Sequence, residues 1–283
     1  MFSKEIIPYL EKYFNTLDNK KVRTIVEYSV RGGKCIRGFI IKHIIESLSK
    51  AGYPLMWEPI VAIELIHAAS LVIDDLPCMD NDKKRRGKPS TFVTFGKHEA
   101  ILFSFYIISE SMKLLSHALH SRRSHFHTII VEWCELLGKN LILGQLMDLK
   151  CDVTEYFNID NNKDVNESII KYKTCSLFAF TFMLGALFAE QEVELDEFKK
   201  MGHSFGMMFQ LVDDYKDAHE DEEYRNYILK HGNKKSLLKY MQERTQLIHL
   251  LTKNNIYTAD FKKMILVLDG KFIPQKNEKV CCT

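Results

Sequence analysis

Apolar side chains recur at steps of three and four residues along almost the whole chain, which is the spacing of an α-helix. The segment EPIVAIELIHAASLVIDD, residues 58–75, shows this pattern, with Ile60, Ile63 and Val72 among its apolar positions. Three other segments are apolar on most sides, as expected for helices in the middle of a bundle: GKNLILGQLMDL, SLFAFTFMLGALFA and FGMMFQLVDD. Alternating strand patterns are absent from the sequence. The pattern predicts a single all-α domain, residues 1–283, of about ten or more helices.

The composition limits the function classes that are open to the chain. Hydrophobic residues make up 46% of the 283 positions, enough for a sizeable core, and the formal net charge of +2 gives no sign of a nucleic-acid partner. No apolar run approaches the roughly 20 residues of a membrane span, so we expect no stable membrane insertion. The seven cysteines are odd in number and lack a CxxC pair, which favours reduced thiols in the cytoplasm over a disulfide framework or a zinc site.

An acidic group stands where the helix of residues 58–75 is expected to end. Asp74 and Asp80 are six residues apart, which on an ideal helix places them on different faces. Pro77 lies between them and cannot continue a helix interior, because it lacks an N–H and collides with the preceding turn. The helix must therefore bulge or end there, and the turn can return Asp80 to the side of Asp74. The alternative is an acidic helix end followed by a polar turn, although acids at that end oppose the helix dipole.

A second acidic group, FQLVDDYKD, follows another apolar helix. Asp213 and Asp217 share one helix face, and Gln210 joins that face one turn earlier. Like charges at this spacing destabilise a helix slightly unless a cation lies between them. The group is therefore either a solvated acidic face or one half of a cation site. Two such groups on facing helices would suit Mg²⁺, which takes hard oxygen ligands and is commonly shared with substrate phosphate.

Basic side chains cluster near the same segments, as binding of phosphate would require. RGGKCIRG and KKRRGK contribute Lys34, Arg37, Arg85 and Arg86. His67 lies two helical turns before Asp74 on nearly the same face. It is therefore either directed into the same site as Asp74 or a core histidine whose hydrogen bonds are made within the protein. KYKTCS places Lys173 and Thr174 on a buried helix, where a lysine without an anion would be costly. Together these residues indicate a pocket for a diphosphate that is attached to an apolar chain.

Five segments carry a resemblance to a known family. GGKCIR, HAASLVIDDLPCMDNDKKRRGKPSTF, GQLMDL, KYKT and FQLVDDYKD occur in the order found in trans-isoprenyl diphosphate synthases. These are the short-chain polyprenyl synthetases that make farnesyl and geranylgeranyl diphosphate. The resemblance implies an all-α bundle of the isoprenoid synthase type with a central Mg²⁺–diphosphate cavity. It also implies a homodimer in the cytoplasm whose partners are small-molecule isoprenyl diphosphates.

The resemblance also implies a role for each matching residue. Isopentenyl diphosphate would be held by Lys34, Arg37, His67 and Arg86, and Mg²⁺ by Asp74, Asp80, Asp213 and Asp217. The allylic diphosphate would be neutralised by Arg85, Lys173 and Lys234 or another late cation. Thr174 and Gln210 would lie near the developing allylic cation, to which the isopentenyl double bond adds head to tail.

The length of the product is expected to depend on residues one helical turn before Asp74. A residue four or five positions earlier lies roughly 6–8 Å back along the helix, where Ala69 and Ser70 stand. Family members that stop at farnesyl commonly carry an aromatic side chain there. The small residues therefore favour a C20 product over a C15 product. The alternative is that Ala69 packs against a neighbouring helix and that Phe103 or Phe105 closes the pocket.

The sequence departs from the family after Asp217. Most relatives have a long loop with Gly-Lys there, whereas this chain passes through AHEDEEYRN almost directly to its last helices. Because such a loop closes over the diphosphates, its loss affects turnover more than binding. A catalytically weak or regulatory subunit of a heteromeric synthase therefore stays an alternative, although the intact aspartates argue against it. A class I terpene cyclase is the other alternative, but a cyclase has no use for Lys34 and Arg37.

Overall fold

The structure is a computed structural model, and it describes residues 2–51, 53–119, 123–150, 164–189, 193–219, 223 and 225–272. Nearly all of these residues are helical, so the all-α prediction is confirmed. The contacts divide the chain into two compact units. The first unit comprises Met1–Ile130 and Leu184–Gln191, and the second comprises Val131–Met183 and Glu192–Thr283. The prediction of a single domain over residues 1–283 stays a prediction. Part of the segment after Asp217, residues 220–222 and 224, lies outside the described residues, as does the carboxyl-terminal stretch from 273.

The first unit is built around one buried helix. Its helices are α1 (Ser3–Phe14), α2 (Lys20–Val30), α3 (Ile36–Leu48), α4 (Glu58–Asp74), α5 (Thr91–Phe95) and α6 (Lys97–Ala118). The central helix is α4, which packs against α1, α2, α3 and α6. Its apolar side chains are buried on most sides, as the sequence pattern predicts.

Local sequence sets where the helices of this unit begin. Asn19 caps α2, because its side-chain oxygen accepts hydrogen bonds from the backbone N–H groups of Lys21 (3.0 Å) and Val22 (3.1 Å). Pro59 occupies the first turn of α4, where its missing N–H has no helical partner to lose. The start of α3 follows Cys35, which is buried and has a left-handed backbone with φ +52°. These starts place the RGGKCIRG loop between α2 and α3.

A short hairpin follows α4 and is the one feature of this unit that the sequence pattern does not predict. Strand β1 (Lys84–Arg85) pairs antiparallel with β2 (Lys88–Pro89), and each strand is too short to show an alternating pattern in the sequence. The two turn residues, Arg86 and Gly87, both have positive φ angles, +55° and +77°. Such a backbone is typical of the tight turns that match the twist of a two-stranded ribbon. The hairpin therefore fixes Arg85 and Arg86 on a rigid support.

The remaining helices lie mostly in the second unit, although residues 123–130 and 184–188 belong to the first. After α7 (Arg123–Glu132), a π-helical segment (Trp133–Leu141) leads directly into α8 (Ile142–Asp148). In the same way α9 (Val165–Ile169) continues through a π-helical segment (Ile170–Cys175) into α10 (Ser176–Phe188). The remaining helices are α11 (Leu195–Asp217), α12 (Tyr227–Lys253) and α13 (Ala259–Phe272). Helix α11 packs against α12, α13 and the second π-helical segment.

Small residues allow the helices of the second unit to approach closely. A Cβ atom built on Gly202 of α11 would lie 2.4 Å from the Cα atom of Ala179, a distance that no side chain can occupy. Aromatic rings fill the space beside this contact, with the rings of Phe178 and Phe205 5.0 Å apart and those of Phe182 and Phe205 6.0 Å apart. This packing holds α11 against α10 and therefore fixes the acidic end of α11.

Helix α12 is interrupted near its start. Gly232 has φ +75° and ψ 159°, which separates a first turn, Tyr227–His231, from the rest of the helix. Further along, α12 is joined to α13 by Asp269, whose carboxylate accepts from the hydroxyl of Tyr240 (2.8 Å) and pairs with the guanidinium of Arg244 (3.0 Å). The last helices are thus anchored by buried polar contacts.

In the part of the chain that the structure describes, no helix has both the length and the apolar content needed to cross a bilayer.

Candidate active site

The first acidic group lies where α4 ends. Asp74 is the last residue of α4, and the backbone N–H of Asp80 donates a hydrogen bond to the carbonyl oxygen of Asp74 at 2.9 Å. A second bond, from the N–H of Asn81 to the carbonyl of Leu76 (3.0 Å), closes the same turn. The predicted return of Asp80 to Asp74 is therefore confirmed. Both aspartates are partly buried.

Between these two aspartates lies a buried carboxylate that the sequence analysis did not single out. Asp75 is 2% exposed, and its Oδ1 atom accepts from Nε of Arg85 at 2.8 Å and also from a terminal nitrogen of that guanidinium. The same guanidinium reaches Oδ2 of Asp82 at 2.8 Å. Burial raises the pKa of Asp75, although the charge of Arg85 opposes this effect. Arg85 is thus held in a fixed orientation by two carboxylates.

Arg86 connects the hairpin to the RGGKCIRG loop. Its Nη1 atom donates to the carbonyl oxygens of Val30 (2.8 Å) and Arg31 (3.1 Å), which end α2. Its guanidinium also lies against Gly33, where a Cβ atom would come within 3.0 Å of Nη2. Glycine at that position therefore allows the contact. Lys34, the next residue, is exposed.

Arg37 and His67 form the buried part of the basic group. Arg37 is 8% exposed, and burial lowers its pKa to about 10 against the opposing charge of Glu64. Burial also lowers the pKa of His67 well below its ordinary range, and the positive charges of Arg37 and Arg86 act in the same direction. The imidazole is therefore neutral near pH 7. The structure brings these predicted residues into one electrostatic group within the first unit.

Glu64, three residues before His67 on α4, is a second residue that the sequence analysis missed. It is 5% exposed, and its Oε1 atom accepts the backbone N–H of Gly38 at 2.7 Å. Burial raises its pKa, while the Gly38 hydrogen bond and the charges of Arg37 and Arg86 oppose that rise. A single acidic residue inside an apolar helix was the available signal in the sequence.

The residues expected to limit product length lie on the same helix. Ala69 is fully buried, whereas Ser70 is partly buried and donates its hydroxyl to the carbonyl of His67 at 2.9 Å. Of the two aromatic alternatives, Phe105 is 63% exposed and so does not fill the interior of this unit. Phe103 is partly buried, with its ring 6.0 Å from that of Tyr106.

In the second unit, Lys173 has the anionic partner that its burial requires. Its Nζ atom lies 2.6 Å from Oδ2 of Asp148, the aspartate of the GQLMDL segment, and Asp148 is 6% exposed. Nε of Arg225 approaches the other carboxylate oxygen at 3.5 Å. The carboxylate of Asp148 thus orients two cations. No role of Asp148 can be predicted from the sequence, because nothing in a linear pattern shows which acid meets which lysine.

Thr174 and Gln210 are joined in one hydrogen-bond chain. The hydroxyl of Thr174 donates to Oε1 of Gln210 (2.8 Å), and Nε2 of Gln210 donates to Oδ1 of Asp214 (2.8 Å). Asp214 is 3% exposed, and its other oxygen accepts the N–H of Tyr227 at 2.9 Å. Each end of the Gln210 amide therefore has a defined partner, which fixes its orientation.

The backbone around Lys173 and Thr174 is unusual, because both residues lie in the π-helical segment Ile170–Cys175. Single wide turns of this kind are frequent at functional sites. Gly144 of α8 packs directly on this segment, and a Cβ atom there would lie 2.3 Å from the backbone nitrogen of Lys173. The glycine of GQLMDL thus permits the approach of α8 that places Asp148 beside Lys173.

Asp213 and Asp217 are more accessible than Asp214, their neighbour on α11. Asp213 is partly buried with Nζ of Lys216 2.8 Å from its Oδ1 atom, and Asp217 is exposed. Lys234, the late cation considered above, is exposed on α12. Over the described residues, no three or more His, Cys, Asp or Glu side chains gather to hold a metal by themselves. Carboxylate oxygens with water and substrate phosphate as further ligands are nevertheless the donor set that Mg²⁺ prefers. The chemistry of Asp74 and Asp80, and separately that of Asp213 and Asp217, therefore suits this ion, and their role as its ligands stays a prediction.

Comparison with known proteins identifies the family. A family model described as polyprenyl synthetase matches residues 19–263, most of the chain. The chain belongs to the polyprenyl synthetase family. Curated relatives agree: farnesyl diphosphate synthase of Bacillus subtilis is 31% identical over 231 residues, which cover 78% of this chain and 74% of that protein.

Other members of the family are longer than this chain. The chloroplastic geranylfarnesyl diphosphate synthase of Leucosceptrum canum is 33% identical over 165 residues, 57% of this chain and 45% of that protein. The chain spans about half the length of such plant relatives.

Solved structures confirm the isoprenoid synthase fold of the polyprenyl synthetases. The crystal structure of geranyltranstransferase from Thermotoga maritima superposes with a TM-score of 0.77 at 24% identity, covering 95% of this chain and 97% of that one. The predicted all-α bundle of the isoprenoid synthase type is therefore confirmed, whereas its central Mg²⁺–diphosphate cavity stays a prediction.

Proposed function

We propose that the chain is a Mg²⁺-dependent trans-prenyltransferase that condenses isopentenyl diphosphate with an allylic diphosphate to a short-chain trans-prenyl diphosphate. The observation that carries this proposal is the basic group of the first unit, in which the charges of Arg37 and Arg86 act on a buried, neutral His67 of α4, the helix that ends at Asp74. The family and the names of the curated relatives, farnesyl and geranylfarnesyl diphosphate synthases among them, support the same reaction class.

Isopentenyl diphosphate is assigned to the basic group. Arg37 and Arg86 supply planar guanidinium forks that can each pair with two diphosphate oxygens, and Lys34 adds an exposed ammonium. The backbone bonds of Arg86 at the end of α2 keep its fork in place before the substrate arrives. Because His67 is neutral, it can donate one N–H to the diphosphate without adding a further charge to the buried arginines.

The allylic diphosphate is assigned to the aspartates and to Arg85 and Lys173. Mg²⁺ would be held by Asp74 and Asp80 and by Asp213 and Asp217, as the resemblance implies. When bound, the ion supplies Lewis-acid stabilisation of the departing diphosphate. Arg85 is oriented by Asp75 and Lys173 by Asp148, so both cations keep a fixed direction as negative charge develops.

The remaining polar residues act on the carbon chain. As the bond between C1 and the diphosphate oxygen breaks, positive charge develops on the allylic carbons, and the oxygens of Thr174 and Gln210 stabilise it. The isopentenyl double bond then forms the new C–C bond, and the released diphosphate takes the proton that is lost. Gln210 is suited to this role because its amide cannot rotate without losing its bonds to Thr174 and Asp214.

Incubation of the purified chain with Mg²⁺, labelled isopentenyl diphosphate and geranyl or farnesyl diphosphate tests the proposal. We expect incorporation of label into a C15 or C20 diphosphate, dependent on Mg²⁺. Omission of the allylic primer is the matched control. Binding of both substrates without elongation would contradict the proposal and favour the regulatory-subunit alternative, whereas a cyclic hydrocarbon product would indicate a cyclase.

Geranylgeranyl diphosphate is proposed as the favoured product, because the position one turn before Asp74 is occupied by Ala69. Replacement of Ala69 with Phe adds an aromatic ring at that point and is expected to shift the main product from C20 to C15. Chromatography of the dephosphorylated products measures the shift, and Ala69→Ser serves as the control that keeps the side chain small. An unchanged product length in Ala69→Phe would show that Ala69 does not limit the length of the product.

A homodimer in the cytoplasm is proposed as the working form. In support, α6 exposes Leu102 and Phe105, each 63% accessible, together with Ile101 on one side of the helix. Light scattering of the same preparation measures the mass in solution, and a monomer at assay concentration would contradict the proposed dimer.

A further inference from the structure

Glu64 is a buried carboxylate to which the proposed reaction assigns no role. It lies in the middle of α4, an otherwise apolar helix, and is 5% exposed. Its Oε1 atom accepts the N–H of Gly38 in the first turn of α3 at 2.7 Å. A neutral amide oxygen would accept the N–H of Gly38 equally well, so this bond does not explain why the position holds a carboxylic acid. Burial raises the pKa of that carboxyl, whereas the Gly38 hydrogen bond and the positive charges of Arg37 and Arg86 oppose the rise and favour the anion.

The positive charges around Glu64 supply a reason for a carboxylate at this position. Arg37, one residue before Gly38, is buried, and the charge of Glu64 acts on it in the sense that stabilises the guanidinium. Arg86, which is held against the end of α2, experiences the same charge. Each of these guanidinium groups loses hydration by burial, which is costly without an anion nearby.

We propose that Glu64 is an internal counter-anion, which balances Arg37 and Arg86 while the diphosphate site is empty and competes with a diphosphate for their charge. This inference rests on the proposed function, which places the diphosphate of isopentenyl diphosphate at these two arginines. An arriving diphosphate brings its own negative charge to the same groups. The carboxylate therefore stabilises the empty protein and weakens diphosphate binding, so that the site can exchange its ligand.

Two variants separate the charge of Glu64 from its hydrogen bond. Glu64→Gln keeps an oxygen acceptor for Gly38 and removes the charge. Glu64→Asp keeps the charge and shortens the side chain, which weakens the bond to Gly38. Glu46→Gln is the matched control, because Glu46 is a carboxylate of the same unit that pairs with Lys42 at 2.9 Å.

The experiment measures binding of inorganic pyrophosphate to the full chain without Mg²⁺, by calorimetry, together with the thermal midpoint of each variant. We expect Glu64→Gln to lower the midpoint of the free protein and to tighten pyrophosphate binding about tenfold, the order expected for one charge within roughly 10 Å. Glu64→Asp and Glu46→Gln are expected to keep the wild-type affinity within about twofold. In the elongation assay, KM for isopentenyl diphosphate is expected to fall in Glu64→Gln, with KM for the allylic substrate unchanged.

A purely structural Glu64 would lower the midpoint in Glu64→Gln without tightening pyrophosphate binding, and that result overturns the inference. Absence of pyrophosphate binding in both wild type and Glu64→Gln overturns it as well. If Glu64→Gln does not fold, the double variant Arg37→Gln with Glu64→Gln is expected to fold, because the buried charges are removed together; failure of the double variant counts against the inference. If Glu64→Gln binds pyrophosphate more tightly but the wild-type chain does not elongate any substrate, the proposed function is refuted and the role of Glu64 as a counter-anion stands.

Discussion

Replacement of Asp74 or Asp213 with Asn is expected to lower the elongation rate by about 10³-fold or more, with the fold intact. Each change removes one negative oxygen donor from a proposed Mg²⁺ ligand set and keeps the size of the side chain. Loss of one preorganised group that stabilises developing charge typically costs 10²–10³ in rate, and loss of metal affinity adds to it. Steady-state assays at saturating substrate and at several Mg²⁺ concentrations measure the effect.

Asp196→Asn is the matched control for Asp213→Asn. Asp196 lies in the first turn of the same helix, is exposed, and pairs with Lys199 at 2.9 Å on the surface. Its replacement is expected to leave the rate within about twofold, because exposed ion pairs contribute little. A normal Mg²⁺ requirement and rate in Asp74→Asn or Asp213→Asn would remove that residue from the ligand set.

Gly144→Ala is expected to destabilise the protein and to lower its activity together. The new Cβ atom would lie 2.3 Å from the backbone nitrogen of Lys173 and 2.7 Å from the carbonyl carbon of Tyr172, so backbone must move. Overpacking of this kind costs about 1–3 kcal/mol. For a chain of this size, that corresponds to a fall in the thermal midpoint of roughly 2–5 °C. Displacement of Lys173 from Asp148 is expected to reduce turnover in the same variant.

Gly138→Ala tests whether the effect is specific to the close contact. Gly138 lies earlier in the same continuous helical stretch, and its new Cβ atom would be 3.7 Å from the carbonyl of Trp133, an ordinary contact. We expect Gly138→Ala to keep the wild-type midpoint or to raise it slightly, since alanine favours a helix over glycine. Equal midpoints for the two variants would show that α8 adjusts without cost and that Gly144 does not set its position.

Much of the architecture could be predicted from the sequence, because it depends on the spacing and type of neighbouring residues. The spacing of apolar residues predicts α4 and α11, and Pro77 predicts the end of α4 near Asp74. The return of Asp80 follows from the same proline, since a chain that leaves a helix in a tight turn comes back to its last carbonyl. Each of these features needs only the chemistry of neighbouring residues, which is why the sequence contains it.

The partners of the buried side chains could not be predicted from the sequence, because their contacts are not local. Asp148 and Lys173 are 25 residues apart, and Glu64 and Gly38 are 26 apart, so nothing local selects one partner among many. The hairpin at Arg85 escaped detection because strands of two residues are too short to show alternation. The π-helical segments likewise escaped detection, because the spacing of apolar residues does not distinguish a single wide turn from an ordinary helical turn.

The π-helical segment Ile170–Cys175 affects how the continuous helix from α9 to α10 tolerates a change in its length. In a regular helix, each inserted or deleted residue rotates everything beyond it by about 100°, which would change the neighbours that each side chain of α10 contacts. A π-helical turn already accommodates one residue more than an α-helical turn. Deletion of one residue from this segment would let α9 continue into α10 as an ordinary α-helix and keep Ser176–Phe188 in register. The deletion would then change only the orientation of Lys173 and Thr174.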